Sequence, residues 1–423
     1  MLKFFRHLFD TKGLFHAIER SMEVFWRFAL GGRRLDNVTD LVETVFGPTD
    51  LRMTFFVSAG AVHRHRTRIK RLHDLGHDIG SHGVYHSRMD MLPLDLQTKV
   101  LNESYRVLED AGFGIRGFRP PYLNYNTDTR IALENGPFGW TSGEVIFWND
   151  GFENGESIER LGPLYHFHQS DHKLSLPCER LGVLDIPVTA PDDEILYERY
   201  RLRSADSMQK AWCKIFEDIH RRGELFHVLF HPERFPQISR AIDGLVDYVQ
   251  SRNPSVWMTR LDELARWWSL RRNWRWNRVS NGRVELQIPE EASVLASAVE
   301  PETEGLISDG LIYKDYRRVS TAENYPAWTV GLSDRCPKEL GKFLHREGFL
   351  AEYSDQPEKH SLFIDRDGFS ERNARALLEE VDSCEKPLLR VWRWPNGHQS
   401  AFCISADICA VDLRDFVERT LNF

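Results

Sequence analysis

Cysteine is scarce and unpatterned in this sequence: six residues in 423, at 178, 213, 336, 384, 403 and 409, with no Cys-x-x-Cys pair. That excludes a disulfide-built scaffold and favours a reducing compartment. No run approaches the roughly 18 apolar residues of a membrane-spanning helix. A surplus of positive charge is missing too. With 63 acidic against 55 basic side chains the net charge is −8, which argues against nucleic acid as a bulk electrostatic partner. The opening residues, Met1 to Asp10, bring in charge too early for a secretory signal and lack a small-residue cleavage site, so a cytoplasmic protein is expected. Leu2, Phe5, Leu8 and Phe9 beside Lys3, Arg6 and Lys12 form a stripe that can touch a membrane peripherally; packing on the domain is the simpler use. Internal repeats and low-complexity tracts are absent.

What is present is an ordinary globular composition, 41% hydrophobic and 28% charged, in a chain of roughly three domain lengths. Residues 36 to 270 alternate short apolar runs with helical patterns, the rhythm of βα units. Strands are expected at Met53–Val57, near Ile79, at Gly182–Val188 and at Leu225–His231, with helices around Arg66–Leu75, Leu96–Ala111 and from Leu261. After Trp276 the pattern shifts to strand-like alternation over Arg278–Ser293. The divisions expected are a main α/β part over 1–271, a small β-rich accessory unit over 272–326, a small α/β segment over 327–390, and a final strand and helix over 391–423.

The densest chemistry lies in Gly80-Ser81-His82-Gly83-Val84-Tyr85-His86, two imidazoles four residues apart beside two glycines. The glycines weaken a helix there, so a strand-to-loop corner is expected, aiming two nitrogens at one metal ion. Two ligands do not make a site. Further pieces follow in Gly117-Phe118-Arg119-Pro120-Pro121-Tyr122 and in a nearly all-apolar run, Leu225 to Phe230, that stops at His231. Strands covered on both faces read this way, and chemistry in parallel α/β sheets collects past their C-terminal ends.

In that order, Thr54-Phe55-Phe56-Val57, Gly76-His77-Asp78-Ile79-Gly80-Ser81-His82 with His86, Arg119 to Tyr122, and His231 resemble the motifs of the polysaccharide deacetylase family, the NodB-homology group or carbohydrate esterase family 4. Four ordered matches over about 180 residues make the resemblance specific, where any one alone is weak. It implies a distorted (β/α) barrel. The paired acids that open the family's first strand have no counterpart before Thr54. A short apolar strand reaching an acid occurs instead at Ala401 to Asp407, followed by a helix-like Asp412 to Val417. The chain therefore resembles a circularly permuted member, a rearrangement tolerated where termini lie close together at the surface.

The resemblance implies hydrolysis of an N-acetyl group on an amino sugar by a divalent metal, zinc above all. His82 and His86 correspond to metal ligands, Asp407 to the base, Arg119 to the group that orients it, the backbone N–H of Tyr122 to an oxyanion donor, and His231 to the acid. Where a second Asp would coordinate metal, this sequence has Cys409. A thiolate can ligate zinc. The alternative is a small buried hydrophobe, with the third ligand lost and the fold left as a carbohydrate-binding or assembly module. Glu144, Trp140, Asp78, Asp192, Asp193 and His227 are further residues that can line the cleft.

Overall fold

Leu225–Phe230 and Ser400–Ile408 are buried at every position, which explains their unbroken apolar character: they run side by side in a sheet covered on both faces. The computed structural model describes residues 34–47, 49, 51–148, 167–180, 182–279, 283–297, 313–314, 318–320 and 327–409. The apolar stripe at residues 2–9 and the helix expected at 412–417 lie outside these.

The main sheet runs, in spatial order, Leu225–Phe230, Ser400–Ile408, Thr54–Val57, Asp78–Ser81, Gly117–Phe118, Trp140–Thr141, Val183–Asp185 and Cys178–Arg180. All neighbours are parallel except the last pair. A second parallel trio, Val145–Phe147 with Phe167–Gln169 and Val188–Ala190, continues the curl. Helices at Ala59–Asp74, Leu94–Asp110, Ala205–Arg221 and Phe235–Gln250 cover the outside. In the last of these Phe235, Ile238, Ala241, Ile242, Leu245, Val246 and Val249 are buried, the i, i+3, i+4 stripe of a core-facing helix. The fold is an α/β distorted barrel of the expected class.

The most C-terminal strand sits inside the sheet. Phe56 is in register with Asp407, and Leu229 with Ser405. Before it, Leu388–Pro395 pairs antiparallel with Ala292–Ser297, and a turn through Asn396 and Gly397, both at positive φ, reverses the chain. Ala327–Leu332 is flanked by Ala351–Tyr353 and His360–Ile364 in a small parallel sheet, with helices Lys338–Arg346 and Ala374–Asp382. Its core is continuous with the barrel's: Val330, Leu340 and Phe343 share one cluster with Phe56, Leu225, Leu261 and Cys403. Three buried ion pairs reinforce the junction, Arg375 with Glu224 at 2.8 Å, and Arg390 and Arg393 converging on Glu347 at 3.1 and 2.7 Å.

Two boundaries differ from expectation. The strand expected at Gly182–Val188 divides into Val183–Asp185 in the main sheet and Val188–Ala190 in the second, with Pro187, which lacks an N–H, between them. The helix expected over Arg66–Leu75 is present but is preceded, across a kink at His65, by a further helical stretch from Ala59; Ala59, Gly60 and Ala61 carry too little side chain to show amphipathic periodicity, and Gly60 is packed under the Tyr85 ring. At the closed end of the sheet, buried His77 accepts a hydrogen bond from the Met53 N–H at Nδ1, 3.0 Å. Burial, with Arg52 and Arg260 nearby, presses its pKa down to about 4. The unfolded chain takes up this proton near 6.5, so stability is full above that pH and is lost as pH falls toward 4. Urea unfolding at neutral pH and at about pH 4.5 should differ by roughly 2–3 kcal/mol from His77 alone, a difference that His77→Gln removes.

Candidate active site

Five parallel strands deliver one polar residue each to the same end of the sheet. His82 follows Asp78–Ser81, Arg119 follows Gly117–Phe118, Ser142 follows Trp140–Thr141, and His231 follows Leu225–Phe230, while Asp407 is the penultimate residue of Ser400–Ile408. C-terminal strand ends are where such folds assemble side chains from distant segments.

The centre is a fully buried Arg119, whose Nη1 donates to Asp407 Oδ1 at 2.8 Å. Its Nη2 donates to Ser142 Oγ at 2.9 Å and its Nε to the Ser142 carbonyl at 3.2 Å. The guanidinium lies 4.1 Å above the Phe56 ring, a cation–π seat. Two glycines make that seat possible. A Cβ on Gly80 would meet the Phe56 ring at 2.7 Å, and one on Gly117 would meet the Trp140 ring, which packs edge-on against Phe56, at 2.2 Å. Gly117→Ala should therefore displace Trp140, then Phe56, then Arg119, costing about 2–3 kcal/mol in a urea unfolding series by overpacking.

Burial raises the Asp407 pKa, but Arg119, His82 and His231 outweigh it and hold the carboxyl below its ordinary value. Asp407 is thus an anion at neutral pH. His82 Nε2 lies 3.7 Å from Asp407 Oδ2, while its Nδ1 lies 2.9 Å from the Arg119 carbonyl oxygen. A carbonyl only accepts, so Nδ1 carries a proton and the ring is oriented with Nε2 toward Asp407. Metal-binding imidazoles are oriented in this way. The His86 ring is 5.0 Å from that of His82 and 4.2 Å, edge-on, from that of Tyr122. The Tyr122 and Leu123 backbones are at φ 62° and 53°, the left-handed region that side chains disfavour. Cys409 is buried just beyond the strand end, two residues past Asp407.

The donor types suit a divalent ion, and His82 is oriented as a ligand. Among the described residues, however, His82, His86 and Cys409 do not form a group of three donor atoms within 4.8 Å of one another; Asp192, Asp193 and His231 do. His231 Nδ1 lies 2.8 Å from Asp193 Oδ1, and the His231 N–H donates to Asp193 Oδ2 at 3.1 Å. The same carboxylate therefore orients the ring. Burial, then the Asp193 charge, pushes the Asp192 carboxyl up to about 7.

Sequence reasoning named Asp193 and His227 only as lining residues and missed Ser142 and Ser405. None carries a local signal; their partners come from strands far away in the chain. Glu144 is held elsewhere on the rim, buried and bonded to Lys173 and to Arg180 at 3.0 Å and His168 at 3.2 Å, so that these three outweigh burial and keep it at about 2. Asp78 lies at the opposite end of the sheet, beside Arg260.

A family model for polysaccharide deacetylase matches residues 32–138. A comparison with curated proteins finds no match. Similar solved structures include a putative polysaccharide deacetylase from Mycobacterium smegmatis, 18% identical over 56% of this chain and 77% of that one, with a TM-score of 0.42. Puue allantoinase is 19% identical over 54% and 71%, with a TM-score of 0.43. A carbohydrate esterase family 4 pseudoenzyme from Bacillus anthracis is 14% identical over 56% and 61%, with a TM-score of 0.30. The stretch that matches the polysaccharide deacetylase model, residues 32–138, carries both the imidazole corner and the Arg119 loop.

Proposed function

We propose that this site hydrolyses the N-acetyl group of an amino sugar in a glycan or glycan precursor. The observation that carries the reading is the Arg119–Asp407 pair, set beside His82 Nε2 at the strand ends. An ionised, buried carboxylate held at one oxygen by a guanidinium keeps its other oxygen available to take a proton from attacking water. His231, steadied by Asp193, is the group that hands a proton to the departing amine, because an amide does not expel an unprotonated amine at a useful rate. The Tyr122 backbone N–H is the proposed donor to the developing oxyanion. The resemblance assigns a divalent ion to His82 and His86 with Cys409 in the third position; an ion bound there would need these donors to draw closer than they lie in this structure, and would polarise the amide oxygen and acidify bound water. A thiolate in that set favours zinc.

The strand order supports reading the chain as circularly permuted, since the strand bearing the base lies beside Thr54–Val57 yet follows it by more than 300 residues. The scarcity of cysteine, six in 423 residues with no Cys-x-x-Cys pair, suits a reducing compartment, hence a cytoplasmic precursor as substrate. Purified protein incubated with zinc should retain the metal and release acetate from N-acetylglucosamine oligomers, and chelation should stop the release. Protein that binds no zinc and releases no acetate overturns the proposal. The second reading, a carbohydrate-binding module without turnover, is motivated by Cys409 in a ligand position; it requires oligomer binding in calorimetry with no acetate formed.

A further inference from the structure

Arg119 has a second neighbour that the reaction outlined above does not use. His227, fully buried in the Leu225–Phe230 strand, places Nδ1 2.9 Å from the Pro187 carbonyl oxygen. That oxygen only accepts, so the ring carries its proton on Nδ1 and offers Nε2 as an acceptor. Two donors reach Nε2: the Ser405 hydroxyl at 2.8 Å and Arg119 Nη2 at 3.3 Å. The His227 N–H in turn donates to Thr189 Oγ1 at 3.1 Å, fixing the strand from which the ring projects. Ser405 and Asp407 are alternate residues of one strand and so share a face. Arg119 is thereby gripped through Nη1 by the carboxylate and through Nη2 by neutral groups, Ser142 and His227. Among the described residues Asp407 is the one carboxylate in hydrogen-bond contact with the guanidinium. Burial and the Arg119 charge press His227 down to about 3, so the ring stays neutral over the range in which a hydrolase works.

We propose that His227 is a positioning residue for Arg119, an uncharged acceptor that fixes the guanidinium while leaving its charge to Asp407 alone. This rests on Asp407 acting as the base in the hydrolysis proposed above. A carboxylate at position 227 would share the guanidinium and weaken its hold on Asp407; an apolar side chain would leave one buried N–H group with Ser142 as its sole remaining partner.

Nitrogen-15 spectra of histidine-labelled full-length protein test the proposal without reference to turnover. The His227 signal, identified by its loss in His227→Gln, should show the Nδ1–H tautomer unchanged between about pH 5 and pH 9. Arginine labelling should show a guanidinium N–H protected from exchange in the wild type and in His227→Gln, and lost in His227→Leu. Kinetically, His227→Leu and His227→Glu should each lower kcat by about 100-fold with KM little changed, the size expected of a displaced orienting group, and His227→Gln should recover most of that loss. An Nε2–H tautomer, titration of His227 in the neutral range, or a Leu variant with an intact protected N–H and wild-type kcat overturns the proposal. If the wild type releases no acetate, the hydrolase reading fails, and the two spectra alone decide the role of His227.

Discussion

Replacing Asp407 with Asn should lower acetate release by at least about 10³-fold, because the proposed base becomes a side chain that cannot take the water's proton. The same change should destabilise the protein by about 3 kcal/mol, since it leaves the guanidinium of Arg119 charged and buried without an anion. The two losses separate by variant: Asp407→Asn with Arg119→Met should regain much of the stability and none of the activity. The pH dependence has a definite sign. Burial raises the Asp407 pKa and Arg119, His82 and His231 lower it further than that, so its contribution to stability is complete above the unfolded value of 3.8 and is lost as pH falls through the lower native value. Asp407→Asn should therefore flatten the acid side of the unfolding profile while leaving the His77 contribution in place.

Cys409 carries the second large effect. If its thiolate is the third ligand, Cys409→Ala should weaken zinc binding by about 100-fold or more, in line with the loss of one strong donor. Cys409→Asp should keep binding but move metal preference from zinc toward harder ions, because a carboxylate oxygen is the harder donor. Turnover should rise with the second change, as a less charge-donating ligand leaves bound water more acidic. Titration with zinc, cobalt and manganese, read by calorimetry alongside acetate release, checks all of this. Identical zinc affinity in the wild type and Cys409→Ala would reduce Cys409 to packing.

The parts of the site legible in sequence are those in which one segment carries both its structure and its chemistry. Gly80-Ser81-His82 announces a strand end with a donor, the Leu225 to Phe230 run announces a buried strand stopping at His231, and Ala401 to Asp407 announces another reaching an acid. What could not be read are the pairings between segments. Asp193 meets His231 across 38 residues, His227 meets Ser405 across 178, and neither member of either pair marks the other locally. The antiparallel match of Ala292–Ser297 to Leu388–Pro395 is of the same kind: nothing in either run specifies its partner. The helical stretch from Ala59 to the kink at His65 escaped for the opposite reason, having small residues where periodicity needs large ones.

The place of Ser400–Ile408 between Leu225–Phe230 and Thr54–Val57 has a consequence for biosynthesis. A ribosome makes the two flanking strands long before the one that joins them, so each waits with a bare row of amide and carbonyl groups and an uncovered apolar face. Such edges are templates for wrong pairing. The nascent chain thus passes through a prolonged vulnerable stage, and holding chaperones should associate with it until the residue-400 region has emerged from the exit tunnel.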